Sequence, residues 1–314
     1  MVTQKNNPRN VFLLFLTAFI WGTSFVAQAA GMEYIGPFTF SVVRYILGGS
    51  ALIPVIIFFR KRSKNPPNLK LSIKYGILCG MILCAASNFQ QMAMLKASTG
   101  KAGFITALYI IIVPILGLFF KRKTSPVIWL SVALAVVGLY FLCIGRGGSY
   151  TFEISDVQLL ICSFIFSLHI VVIDKANNAG VDGIVMSSTQ FFVAAIISVF
   201  FVYPMDGLYY DMMPDMNLII NAMPALCYSG FMACGVAYTL QIIGQNDVNP
   251  TVASLILSLE SVVSALSGFV ILKQNMKVDE IVGCCIMFAA IILAEMPIGN
   301  KSEKEEKNVT FRSE

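Results

Sequence analysis

The sequence predicts an all-α, polytopic membrane protein with ten transmembrane helices arranged as two inverted five-helix repeats. Three observations carry this prediction. Apolar runs fill almost the whole chain, each near the roughly twenty helical residues that about 30 Å of hydrocarbon requires. Lys and Arg cluster in alternate loops, the pattern of loops retained on the cytoplasmic side. The two halves also echo each other. Ala18-Phe19-Ile20-Trp21 matches Ser163-Phe164-Ile165-Phe166, and Gly80, Cys84 and Gln91 match Gly230, Cys234 and Gln241 at an offset of about 150 residues. Five spans per repeat is an odd number, so the halves face opposite ways, as in many secondary transporters.

Composition excludes a soluble domain. Of 314 residues, 57% are hydrophobic and 12% charged, with a mean hydropathy of +0.77; soluble domains are nearer half apolar and a quarter charged. The net charge of +5 lies in short clusters between apolar runs and reads as a topology signal, not a nucleic-acid surface. Spans and short loops leave no room for a globular catalytic domain. The eight cysteines lie within or at the ends of apolar runs and form no CxxC pair. They read as packing residues, neither a disulfide framework nor a metal site.

Taken in order, residues 1–10 form a cytoplasmic N-terminus and the spans are 11–29, 37–59, 73–94, 102–120, 126–145, 157–173, 184–204, 220–243, 251–272 and 279–297. The repeats are 11–146 and 157–297, and 298–314 is a charged, disordered cytoplasmic tail. The first run is too long for a signal peptide and lacks a small-residue cleavage site. Pro37, Pro126 and Pro250 open helices, where a missing N–H costs little; Pro54 and Pro114 lie inside spans and should kink them. The sixth span is short, interrupted by Asp156 and Asp174. Lys5, Arg9, Arg60–Arg62, Lys64, Lys70, Lys74, Lys121–Lys123, Lys175 and the basic tail fall on one side, against Lys96, Lys101, Arg146, Lys273 and Lys277 on the other. This excess is roughly threefold and places both termini in the cytoplasm.

Ionisable residues deep in a bilayer are costly and mark function. Arg44 on the second span and Glu260 on the ninth reach similar depths, both within about 15 Å of the outer boundary at 1.5 Å rise per residue. They can pair structurally, or Arg44 can meet an anionic substrate group while Glu260 neutralises it in the empty state. His169, the one histidine, sits near mid-membrane. With Glu260 it is the candidate for proton coupling. Asn88, Gln91, Gln190 and Gln241 are uncharged polar groups that either glue helices or line a cavity. Trp21, Tyr109 and Tyr238 are candidate apolar wall. Glu295, near the cytoplasmic end, reads as structural. The expected substrate-binding set is Trp21, Arg44, Asn88, Gln91, Tyr109, Gln190, Tyr238 and Glu260, with Glu260 and His169 coupling.

Across 11–297 the chain resembles the ten-helix EamA-type members of the drug/metabolite transporter superfamily. The resemblance rests on FIWGTSFV (19–26), Pro37 with VVRYILGG (42–49), ASTGKAGFITALYIIIVPILG (97–117), WLSVALAVVGLYFL (129–142), ASLILSLESVVSALSGFVIL (253–272) and the Gly283-to-Glu295 helix. The order and spacing of these segments are more specific than any one of them. Ser261 stands where the family commonly has Pro, and Leu272-Lys273-Gln274 replaces a small-residue-Glu pair; both departures weaken inference about substrate. The resemblance implies a bacterial inner-membrane location, substrates such as amino acids, their analogues and small amphiphiles, and export as the commoner direction.

The resulting expectation is a secondary transporter of a small organic metabolite working by alternating access. It has no cofactor, and its state is monomer or homodimer. With no nucleotide-binding P-loop, a gradient must drive it; proton coupling, exchange and facilitation stay open. An intramembrane enzyme would need paired aspartates, HExxH or a Ser with a His base, and no Asp lies near mid-depth. A channel would more naturally show pore rings from an oligomer.

Overall fold

The computed structural model describes residues 7–63, 66–119, 125–143, 153–271 and 278–295. The charged tail, the Lys121–Lys123 cluster and Leu272-Lys273-Gln274 lie outside these residues. The described residues form ten helices: α1 (Pro8–Gly31), α2 (Pro37–Arg62), α3 (Leu69–Met94), α4 (Thr99–Phe119), α5 (Pro126–Cys143), α6 (Ile154–Asn178), α7 (Gly183–Tyr209), α8 (Met216–Gly244), α9 (Pro250–Ile271) and α10 (Val278–Glu295). Eight are long and apolar enough to cross a bilayer, and α5 and α10 carry shorter apolar stretches. Exposed apolar side chains such as Phe200 (75%) and Val270 (71%) form the surface offered to lipid.

Capping explains where hydropathy alone misplaced the helix starts. The first N–H groups of a helix lack intrahelical partners, and side chains before the first turn supply them. Arg9 N donates to Asn7 Oδ1 (3.1 Å), Leu71 N to Asn68 Oδ1 (3.2 Å) and Lys101 N to Ser98 Oγ (3.3 Å). Helices α1, α3 and α4 therefore begin at Pro8, Leu69 and Thr99, ahead of the apolar runs. The sixth span is longer than expected, because its two aspartates extend the helix instead of interrupting it. Asp156 accepts from Glu153 N (3.0 Å) and pairs with Lys101 Nζ (2.8 Å). In the last turns Asp174 accepts from Asn178 Nδ2 (3.3 Å).

Helix pairing obeys a two-fold exchange of the halves, α1 with α6 through to α5 with α10. Helix α3 packs on α7 and α2 on α8; α3 on α6 and α1 on α8; α1 on α9 and α4 on α6. Each of these pairs becomes the next when the halves are swapped. The pairs α2·α7, α4·α9 and α5·α10 map onto themselves.

The self-related pair α2·α7 shows the symmetry in side chains. Tyr45 and Phe191 stack at its centre with ring centroids 5.9 Å apart and planes 11° apart. On one face Arg60 Nη1 meets Asp182 Oδ2 at 3.2 Å, and Asp182 caps α7 through Ile184 N (3.2 Å) and Val185 N (3.3 Å). On the other face Asp206 Oδ1 accepts from Phe38 N (3.1 Å), and its Oδ2 accepts from Thr39 N (2.6 Å) and Thr39 Oγ1 (2.7 Å). Asp206 occupies in α7 the position of Arg60 in α2, at the same sequence offset that relates Phe191 to Tyr45. The end of each helix thus holds the start of the other, once at each membrane face.

Small residues let these helices approach. A Cβ on Gly80 would lie 2.7 Å from Gln190 O and 2.7 Å from Val193 Cβ; one on Gly230 would lie 3.1 Å from Arg44 O and 2.7 Å from Leu47 Cβ. Across the α1·α9 contact, a Cβ on Gly22 would lie 2.5 Å from Val263 Cβ and 2.7 Å from Glu260 O.

Both α4 and α9 break once, at Leu108 and at Ser258. Pro114 and Pro54 stay inside helical segments, and α9 breaks without a proline. In α9 the Ser258, Ser254 and Ser261 hydroxyls donate to carbonyls three residues back, Leu255 O (2.7 Å), Thr251 O (2.8 Å) and Ser258 O (2.7 Å). Such local bonds compete with the helical ladder. Two apolar clusters close the bundle at its ends. Leu14, Ile110, Val113, Val248 and Val252 pack toward the face carrying Arg60. Phe25, Met32, Ile35, Phe40 and Met94 pack toward the opposite face.

Substituting Gly22→Ala forces α1 and α9 apart and lowers stability by about 1–3 kcal/mol. Gly100→Ala, with nothing within 4 Å of the added Cβ, leaves stability unchanged or slightly raised; thermal unfolding of the two variants in detergent checks this contrast. Asp206→Asn presents an amide N–H₂ to groups that are themselves donors. It costs about 1.5–3 kcal/mol, read in the same assay.

Candidate substrate cavity

Between the two apolar clusters lies a cavity lined from both repeats. Helix α1 contributes Trp21, Ser24, Phe25 and Gln28, the spacing of one helical face. Helices α2 and α3 add Arg44 and Gln90. The breaks in α4 and α9 place Thr106 with Tyr109, and Leu257 with Glu260, on the wall. Irregular backbone at membrane depth is tolerated where it is enclosed by protein or lines a cavity. In α8, residues Tyr228–Tyr238 wind as π-helix, a form frequent at functional sites. That segment brings Ala233, Cys234 and Tyr238 to the wall, with Gln241 one turn beyond.

The cavity has two charged poles. At the first, Arg44 is 5% exposed. Its Nη1 donates to Gln28 Oε1 (2.8 Å) and its Nη2 to Tyr45 Oη (3.1 Å), which donates on to Ser87 Oγ (2.5 Å). Gln91 Nε2 donates to the same Gln28 Oε1. The guanidinium lies 4.8 Å from the Tyr45 ring centroid and 5.7 Å from that of Phe40, within cation–π range. Its Nε has no partner. At the second pole Glu260, also 5% exposed, accepts from Tyr109 Oη at 3.0 Å. Among the described residues the two poles share no ion pair; each is held by neutral neighbours.

Aromatic rings span the space between. Trp21 and Tyr238 lie 4.6 Å apart at 58°, and Trp21 Nε1 donates to Ala233 O (3.2 Å) on the π-helical turn. Tyr238 meets Phe191 edge-on at 5.5 Å and His169 at 6.0 Å. Arg44, Glu260 and the Trp21 and Tyr238 rings thus share one wall.

Of the residues expected at the site, Trp21, Arg44, Tyr109, Tyr238 and Glu260 meet on this wall. Gln91 sits one shell behind, steering Gln28. Asn88 turns to the α3·α7 contact, where its Nδ2 donates to Ser198 Oγ (2.9 Å) and Cys84 Sγ (3.3 Å). Gln190 and His169 bond each other at 3.1 Å, fully buried behind Tyr238. Sequence reasoning missed Gln28, Ser24, Gln90, Thr106 and Phe166. Gln28 stands seven residues after Trp21 on one helical face, and Phe166 is the repeat mate of Trp21, so both carried a readable signal.

Comparison with known proteins agrees with this architecture. An uncharacterized transporter of Archaeoglobus fulgidus is 26% identical over 296 residues, spanning 91% of this chain and 85% of the relative. The uncharacterized transporter YoaV of Bacillus subtilis is 21% identical over 86% of this chain and 92% of its own. A shorter match, 31% identical over 98 residues, covers 31% of this chain and 30% of an S-adenosylmethionine/S-adenosylhomocysteine transporter of Chlamydia muridarum. One solved crystal structure shares the fold, with a TM-score of 0.72 at 17% identity over 91% of this chain and 96% of that one. The model of the EamA-like transporter family matches residues 9–144 and again 154–296, so nearly the whole chain is accounted for in two copies, and it belongs to that family.

Proposed function

We propose that this protein is a secondary-active exporter that moves a small zwitterionic metabolite, an amino acid or a related compound, by alternating access. The observation that carries the proposal is the cavity at the repeat interface, with Arg44 and Glu260 on its wall and no ion pair between them. Arg44 receives the substrate's anionic group and Glu260 its cationic group. Trp21, Tyr109 and Tyr238 take the apolar body. Binding of both charges at once offsets the desolvation that either charge alone would suffer.

In this reading the face carrying Arg60 is cytoplasmic, and the two apolar clusters are the inner and outer seals. An inverted repeat makes the seals alternatives of one another, since rocking one half against the other opens one as it closes the other. The breaks at Leu108 and Ser258 are the points where α4 and α9 bend. Glu260, the carboxyl group on the wall, carries the coupling proton; His169, behind Tyr238, is the second candidate. The name of the Chlamydia muridarum relative adds S-adenosylmethionine, itself an amino acid, to the compounds to be tried.

Arg44→Gln keeps a donor for Gln28 but removes the charge. In proteoliposomes it reduces counterflow of the transported amino acid at least about tenfold, the scale of one lost charged contact, while the purified protein still unfolds cooperatively. Normal transport by the folded variant removes Arg44 from the mechanism. His169→Asn keeps a hydrogen-bonding partner for Gln190. If His169 carries protons, transport by this variant loses its pH dependence; an unchanged profile removes His169 from coupling.

A further inference from the structure

Beyond the charged poles, the last turn of α8 and its C-cap carry carboxamides for which the fold shows little use. Gln241 is on the cavity wall and only 1% exposed, and its Oε1 has no partner. Gln245, one turn on, is 2% exposed with both Oε1 and Nε2 unpartnered. Residues four apart lie one above the other on a helix. The backbone between them is firmly held, Gln245 N donating to Gln241 O at 2.8 Å. The neighbouring wall at this end is apolar, formed by Ile170 and Leu257.

The repeat sharpens the point. Gln91 is the mate of Gln241; its Nε2 donates to Gln28 in the clasp around Arg44, while its Oε1 has no partner. Leu95 holds the position matching Gln245. The same helix in one half therefore ties its glutamine down through Nε2, and in the other half presents one whose Oε1 has no partner and a second, wholly unpartnered one a turn further on. Leaving such groups buried without partners costs about 1–3 kcal/mol each, so packing alone disfavours them.

We infer that Gln241 and Gln245 form a polar ladder at the C-terminal end of α8. Gln241 reads an uncharged donor–acceptor end group on the substrate, and Gln245 receives that group on its passage between the cavity and the Arg60 face. A carboxamide offers a donor and an acceptor side by side, and so do its best ligands. The preferred substrate class is then a zwitterion ending in a carboxamide, such as glutamine, over one of equal length ending in methyl, such as norleucine. This inference rests on the zwitterion reading of the cavity.

The test uses the purified full chain, with glutamine and norleucine as probes in thermal-shift binding and proteoliposome counterflow. Wild-type protein prefers glutamine, and in Gln241→Met that preference falls about tenfold or more, the scale of one lost buried hydrogen bond. Gln245→Leu lowers glutamine turnover more than it changes KM. Both substitutions remove an unpartnered buried amide, so neither lowers the unfolding temperature. Equal handling of the two probes by wild type, or a preference unchanged in Gln241→Met, or unchanged turnover in Gln245→Leu, overturns the ladder. If both probes bind and Arg44→Gln abolishes both, the zwitterion reading stands while the ladder is judged on its own. If neither probe binds wild type, both readings fall together.

Discussion

The crossing of α2 with α7 is the contact from which the remaining geometry follows. In a bilayer, apolar surface gives helices little reason to associate, so close packing of small residues and polar contacts must hold them. This crossing uses both means. Tyr45 stacks on Phe191 at its centre, and Asp182 with Arg60 and Asp206 with the start of α2 fasten its two ends. Gly80 and Gly230 bring α3 and α8 alongside. With those four helices set, Arg44 reaches the cavity wall and bonds Gln28 across from α1.

The site is where the two-fold symmetry is broken. Arg44 in α2 is matched by Gln190 in α7, which is bonded to His169 and faces away from the cavity. Glu260, two residues past the break in α9, is matched by Ile110 in α4, wholly buried in an apolar cluster. Each half thus contributes one charge that its partner lacks. The scaffold keeps the two-fold pairing of helices, and the cavity wall departs from it.

Much of the fold was legible in residues 11–297. Run length and loop charge marked ten spans, and repeat matches such as Gly80 with Gly230 foretold helices that do the same job in each half. The legible part of the site was the part with rare chemistry at depth: Arg44, Glu260 and the mid-span aromatics. Asn88 and Gln28 show why the rest was hidden. Both are uncharged polar groups on membrane helices, and their composition does not distinguish one that ties α3 to α7 from one that positions a guanidinium.

What the sequence determined alone was which segments lie in lipid, how the halves are inverted and which charges are held at depth, because those follow from hydration energies and helical rise, properties of each segment by itself. The tertiary structure decided the side of each helix that faces the cavity, the partners of Gln28, Asn88 and His169, and the breaks at Leu108 and Ser258. These depend on rotation about the helix axis and on hydrogen bonds between residues far apart in the chain. Asp156 illustrates the divide: read along the sequence it interrupts a span, and in the folded protein it closes the first turn of α6 against Lys101.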